Sequence, residues 1–313
     1  MISPLPILAL TIVLLSAANA LAQVAAKAEA FGLAEVKLLD GPFKAAMERN
    51  AEYLLKLEPD RFLHTFRLIA GLPPKAPRYG GWESPTTGAG RCLGHYLSAL
   101  AEQYAATGDA RFKEKLDYTV ADLALCQEKN GGGYLCAMSG VRELFAEIAK
   151  GNGDGLGGQH PWYILHKTYA GLRDAYLLAG NQQARDVMVK MADWSVETTR
   201  SLDEAGFQQM LRREEGGMRE VLADISAITG EPKYLALANR FSNAKLMEPL
   251  SRREDRLAGL HANTQVPRLL GAARVYELTG DAKERTAAEF FWETVVHHHS
   301  YVIGGNSLEE HFG

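Results

Sequence analysis

The chain has 313 residues, 47% hydrophobic and 23% charged, with 34 Lys and Arg against 38 Asp and Glu and a formal net charge of -4. That length suffices for one large core or two domains, and the absence of any Lys/Arg block excludes the basic footprint that a nucleic-acid partner requires. Cys92, Cys126 and Cys136 are too few for a disulfide-built scaffold, so stability must come from apolar packing.

Residues 1–22 read as a signal peptide. No charge occurs from Leu5 to Leu21, and Ala17-Ala18-Asn19-Ala20-Leu21-Ala22 repeats small residues at the spacing a signal peptidase reads. This predicts a secreted or periplasmic protein with no stable membrane insertion after cleavage. An uncleaved anchor stays open, because Met1-Ile2-Ser3-Pro4 carries only the α-amino charge.

Residues 23–313 are helical in pattern, and one module recurs: an apolar-periodic segment, a Gly-centred turn, then a second amphipathic segment. The turns are Thr107-Gly108-Asp109, Ala179-Gly180-Asn181, Thr229-Gly230-Glu231 and Thr279-Gly280-Asp281. Each places Gly where a helix end favours a left-handed residue, followed by a polar residue suited to cap the next helix. In the first module Tyr96, Leu97, Leu100, Ala101 and Tyr104 share one face, and Phe112, Leu116, Val120 and Leu123 share another. The turns lie fifty residues or more apart, longer than the roughly thirty-four of a tetratricopeptide unit, which favours a closed ring of hairpins over an open superhelix. The prediction is an all-α toroid with inner and outer helices.

Each first helix follows a loop rich in Gly, His, aromatic and amide residues: 79–90, 157–163, 214–218 and 261–265. In a radial arrangement these loops share one end of the ring. Trp82, Trp162 and Tyr163 then suit the C–H faces of sugars, while His160, His261, Asn263 and Gln265 suit hydroxyls. His261 and Gln265 lie one turn apart; His166 follows Trp162 on its helix, where a hydrogen-bonded core histidine is the competing reading. The run His297-His298-His299 reads as outer-helix surface, since consecutive residues cannot all face one metal ion. Gly153-Asp154-Gly155-Leu156-Gly157-Gly158 formally matches a dinucleotide pattern but follows a helix, so the nucleotide reading fails. Cys126 and Cys136 flank Gly131-Gly132-Gly133, and whether they pair stays open; no cysteine has metal-ligand spacing. The segment Gly304-Gly305 to Glu309-Glu310-His311-Phe312 joins a backbone hinge to titratable groups, against the competing expectation of a solvated tail.

An ordered set of segments runs through the chain: Leu39-Asp40-Gly41-Pro42-Phe43, Asp60 to Arg67, Gly80-Gly81-Trp82-Glu83, Gly216 to Leu222, His261 to Gln265, and Gly304 to Phe312. Together they resemble glycoside hydrolase family 127, the β-L-arabinofuranosidase-like group. The resemblance implies an (α/α)6 barrel, incomplete at the C-terminus of this chain, that removes terminal sugars from plant-type glycans with retention of configuration. It makes Glu310 the general acid/base, a role that needs a raised carboxyl pKa, with Glu309 as the charged neighbour. The same resemblance implies a zinc-bound cysteine nucleophile, whose ligands fall beyond Glu-His-Phe; Cys92, Cys126 and Cys136 match none of them. The expectation is therefore a fragment that holds the acid but no zinc ligands and is inactive alone. Two other classes stay open: a toroid polysaccharide lyase or sugar epimerase, and a non-catalytic carbohydrate-binding scaffold.

Overall fold

The structure, a computed structural model, describes residues 24–26, 28–86 and 88–313; the segment read as a signal peptide lies outside the described residues. A short 3-10 turn (Leu33–Glu35) precedes α1 (Pro42–Lys56), α2 (Pro59–Ile69), α3 (Arg91–Thr107) and α4 (Ala110–Asn130). There follow α5 (Val141–Ala149), α6 (Pro161–Ala179), α7 (Gln182–Thr199), α8 (Glu204–Met210) and α9 (Met218–Thr229). The last are α10 (Pro232–Arg240), α11 (Ala244–Ser251), α12 (Ala262–Thr279) and α13 (Ala282–His298).

The helices form two curved layers of an all-α toroid. In one layer α3, α6, α9 and α12 pack successively against one another; α4, α7, α10 and α13 each lie behind the inner helix that precedes them. The hairpin turns form as their residues dictate. Gly108, Gly180, Gly230 and Gly280 close their helices with φ between 67° and 75°, a conformation glycine adopts without Cβ strain. Asp109, Asn181 and Asp281 accept a backbone N–H of the following helix. Glu231 does not; Pro232 starts that helix instead, its fixed φ replacing a side-chain cap.

The predicted apolar faces are buried. Leu97, Leu100, Leu116, Val120 and Leu123 are fully enclosed in the main core. At burial of this kind each such side chain contributes roughly 1.5–3 kcal/mol. Cys126 and Cys136 are free, buried thiols within that core. The glycines of 153–158 serve packing: a Cβ on Gly153 would meet the Gly206 carbonyl oxygen at 2.3 Å, and one on Gly155 would meet Glu147 at 2.8 Å.

The closest approach in the inner layer is between α3 and α6. A Cβ at Gly94 would stand 2.0 Å from the Lys167 carbonyl oxygen, and one at Gly171 2.5 Å from that of Gly94. The two backbones touch, and no side chain fits between them. Gly94→Ala must push the helices apart, with an expected loss of at least about 1–3 kcal/mol from overpacking. Urea unfolding measures it; unchanged stability would refute the contact.

Candidate active site

The starts of α6, α9 and α12 converge on a cavity of about 960 Å³, lined by His160, Glu214, His261 and Gln265 together with side chains of α8 and α11. The loops before the inner helices thus meet at one end of the ring, because successive inner helices run in the same direction.

His261 is fixed by its own helix. It is the N-cap of α12, and its Nδ1 accepts the Thr264 N–H at 3.1 Å. A nitrogen that accepts here carries no proton, so the ring proton sits on Nε2. Nε2 lies 3.3 Å from Glu310 Oε2, and the N–H donates to that carboxylate. One imidazole therefore caps a helix and orients the carboxylate.

Glu310 is held by backbone rather than by burial. Ala262 N donates to the Glu310 carbonyl at 2.7 Å, Phe312 N to Leu260 O at 2.9 Å, and Gly259 N to Phe312 O at 2.8 Å. Phe312 is 2% exposed and packs against Phe291 and His299. The Glu310 side chain is 80% exposed. Glu309 and Glu310 both take left-handed φ, 48° and 67°, a strain that the surrounding pairing sustains. Gly304, at φ 85°, makes the turn that returns the chain toward α12. The tail is solvated, as the competing reading expected, yet backbone pairing with 259–262 and buried Phe312 anchor it. Of the histidine run, His297 and His298 are exposed on the outer helix as most of the run was expected to be, but the His299 side chain is 7% exposed, with Nδ1 2.6 Å from the Gly313 oxygen and Nε2 2.9 Å from Asp255 Oδ2.

Several site candidates lie elsewhere than expected. Trp162 occupies the first turn of α6, not a loop, and is 1% exposed. It packs on Phe145, Trp194 and Phe241 and donates to Met210 Sδ, so no ring face remains for a sugar. Gln265 lines the cavity, but its polar ends turn inward: Nε2 donates to His261 O at 3.1 Å and Oε1 accepts from Arg268 at 2.9 Å. It positions rather than presents. Arg268 in turn forms a two-pronged pair with buried Glu215, at 2.6 and 2.7 Å, the charge-assisted geometry that most restricts an arginine.

His166 lies beneath Gly216-Gly217, where a Cβ on Gly217 would come within 2.5 Å of its Nε2. Burial, then the charges of Lys167 and Arg173, hold its pKa well below the ordinary imidazole value, so the ring is neutral; its Nδ1 has no hydrogen-bond partner among the described residues. His160 is on the cavity wall and accepts the Glu214 N–H at 3.1 Å. Trp82 is 72% exposed and lies against Arg91, outside the cavity lining.

Residues that the sequence did not single out gather where α3 meets α6, outside the cavity lining: Arg91, His95 and Lys167. Burial first, then Lys167 and Arg91, lowers the His95 pKa. The signal available in sequence was spacing, since Arg91/His95 and Tyr163/Lys167 are each one turn apart on inner helices.

The cysteines do not fit a zinc site. Among the described residues no three His, Cys, Asp or Glu are grouped to hold a metal ion. Burial raises the Cys92, Cys126 and Cys136 thiols to about 11, 12 and 11.

Two outcomes are expected. His261→Asn keeps an N-cap and His261→Ala does not, so urea unfolding should separate the two by about 1 kcal/mol, while both lose the bond to Glu310. For Asp255, burial raises the carboxyl pKa, but hydrogen bonds from Leu257 N–H and His299 outweigh it and hold it below its usual 3.8. A depressed carboxyl stabilises above its unfolded pKa and loses that contribution as pH falls through the folded value. Hydrogen exchange at 308–312 should therefore accelerate below about pH 4, and in Asp255→Asn at any pH. Unchanged protection in both would remove Asp255 from the anchoring of the tail.

The catalytic-domain model of the GH127 β-L-arabinofuranosidase family matches residues 35–313. The GH127 β-L-arabinofuranosidase of Geobacillus stearothermophilus T6 superposes with TM-score 0.58 at 17% identity, covering 87% of this chain and 47% of that one. A second GH127 β-arabinofuranosidase gives TM-score 0.62 at 16% identity, covering 90% and 46%. At such identities the superpositions speak for the fold, and this chain spans just under half the length of either structure. Among curated proteins none matches. The family match covers most of the sequence, and the chain belongs to the GH127 β-L-arabinofuranosidase catalytic-domain family.

Proposed function

We propose that the chain is the acid/base-bearing part of an exported, retaining glycosidase that releases terminal pentofuranosyl residues from plant-type glycans. The observation that carries this is the His261–Glu310 contact at 3.3 Å beside the cavity. A carboxyl there can protonate a departing glycosidic oxygen and then take a proton from water. His261 Nε2–H steadies the ionised form between the two steps. His160 and Glu214 offer hydroxyl partners on the facing wall. Export rests on the uncharged Leu5–Leu21 run; no helix among the described residues is long and apolar enough to cross a membrane.

No nucleophile emerges from this chain's thiols, which burial keeps protonated. The covalent half of a retaining cycle would therefore come from residues other than these. The length of the matching solved structures, about twice this chain, supports a longer complete enzyme. Zinc in that enzyme remains part of the proposal, with no role assigned to it here.

The test is hydrolysis of an aryl β-L-arabinofuranoside by the protein as its gene encodes it. Glu310→Gln should lower kcat by roughly 10²–10⁴-fold and leave substrate binding in place. Residues 24–313 alone should bind without turnover. Absence of hydrolysis across a panel of pentosides and hexosides, or an unsaturated or epimerised product, would overturn the reading.

A further inference from the structure

Where the start of α3 meets the start of α6, four side chains outside the cavity lining stack in alternating order. The Arg91 guanidinium lies 4.9 Å from the centre of the Trp82 ring and 5.8 Å from that of Tyr163. The Lys167 ammonium lies 4.5 Å from the centre of the Tyr163 ring. The row runs aromatic, cation, aromatic, cation, from the 79–90 loop across the start of α3 to the second turn of α6. It depends on the Gly94–Gly171 contact, which brings Arg91 and Tyr163 within reach.

Lys167 differs from the other inner-layer cations. Arg173, less than two turns further along α6, meets Asp174, Glu220 and Asp224 at 3.0, 3.2 and 2.7 Å. Arg268 is saturated by Glu215. Among the described residues no carboxylate comes within 4.0 Å of Lys167, Arg212 or Lys245, the last two on the cavity wall. The carboxylates nearest Lys167 in charge are Glu214 and Glu220; Glu220 is engaged by Arg173, and Glu214 lines the cavity together with Arg212 and Lys245. Lys167 is also half-buried, and burial, ahead of any neighbouring charge, lowers its pKa. A partly desolvated ammonium that lies over a ring and makes no ion pair gains from an incoming anion. The chain as a whole carries -4, so the cationic wall is local rather than a reflection of composition.

We propose that this row is a subsite for an anionic sugar residue: the exposed ring of Trp82 takes the C–H face of the sugar, and Lys167 takes its carboxylate or sulfate. The inference rests on the glycosidase reading and sharpens it, naming acidic glycans as the polymer from which the terminal sugar is cleaved. The shared chemistry is a monoanionic substituent on a pyranose or furanose ring, and the two sources are separable by experiment.

Calorimetric titration of the chain with trigalacturonate, a sulfated galactose disaccharide and neutral arabinotriose tests it. At low salt the preferred acidic glycan should bind about tenfold tighter than arabinotriose, and the advantage should shrink as salt rises. Preference for trigalacturonate assigns a carboxylate, and preference for the disaccharide a sulfate. Lys167→Met should erase the advantage and Lys167→Arg retain it; Trp82→Ala, at an exposed position, should weaken acidic and neutral glycans alike. Equal binding of acidic and neutral glycans, or an advantage that survives both salt and Lys167→Met, overturns the subsite. Should neutral glycan bind and be cleaved in a Glu310-dependent way, the glycosidase reading stands while this one falls. Failure of all three glycans to bind overturns both. The salt dependence of the unmodified chain decides the matter independently of any variant's folding.

Discussion

The contact between Gly94 and the backbone of α6 sets the geometry of the inner layer. Where two helices touch without intervening side chains, their axes come as close as backbone permits, and the residues one turn up from the contact are forced into company. That is why Arg91 and His95 on α3 share space with Tyr163 and Lys167 on α6. The next interval, between α6 and α9, is built the opposite way. It holds Arg173 with Glu220 and Asp224, and Arg274 reaches Asp224 at 2.7 Å from α12. The third interval closes again, with Gly271 against the stem of Arg219. Tight, polar and tight intervals alternate, and the polar one carries a network in which each arginine has acidic partners.

On the α12 side the organising group is a single imidazole. Its two nitrogens have different duties, and the helix cap assigns them: the lone pair of Nδ1 is committed to Thr264, which leaves only Nε2–H for Glu310. Gln265, Arg268 and Glu215 form a chain of hydrogen bonds behind it. Second-rank contacts of this kind fix orientation without meeting a ligand themselves.

What could be read in the sequence was local. Gly108, Gly180, Gly230 and Gly280 announce helix ends because the left-handed requirement belongs to the residue itself, and the apolar spacing after each announces a buried face. The loops at one end of the ring followed from that regularity. What could not be read depends on partners far along the chain. Trp162 resembled a loop aromatic because Gly157, Gly158 and Pro161 precede it, yet Pro161 is an ordinary first helical residue and the indole is enclosed by Phe145, Trp194 and Phe241. Gln265 has suitable spacing from His261, but its amide is claimed by Arg268. His299 looked like surface in a histidine run, and only Asp255, forty-four residues earlier, makes it an anchor. The order of 301–313 was invisible for the same reason: its cause is the pairing with 259–262.

Phe312 has a consequence beyond holding a tail. It sits two residues from Glu310 and seats on Phe291 and His299, which belong to the outer helix α13 and its end. Packing on the outside of the ring and the aim of a carboxylate at its mouth are therefore one mechanical unit. A substitution at Phe291 then disturbs the setting of Glu310 as well as the packing of the outer layer, so the two positions are not free to vary independently.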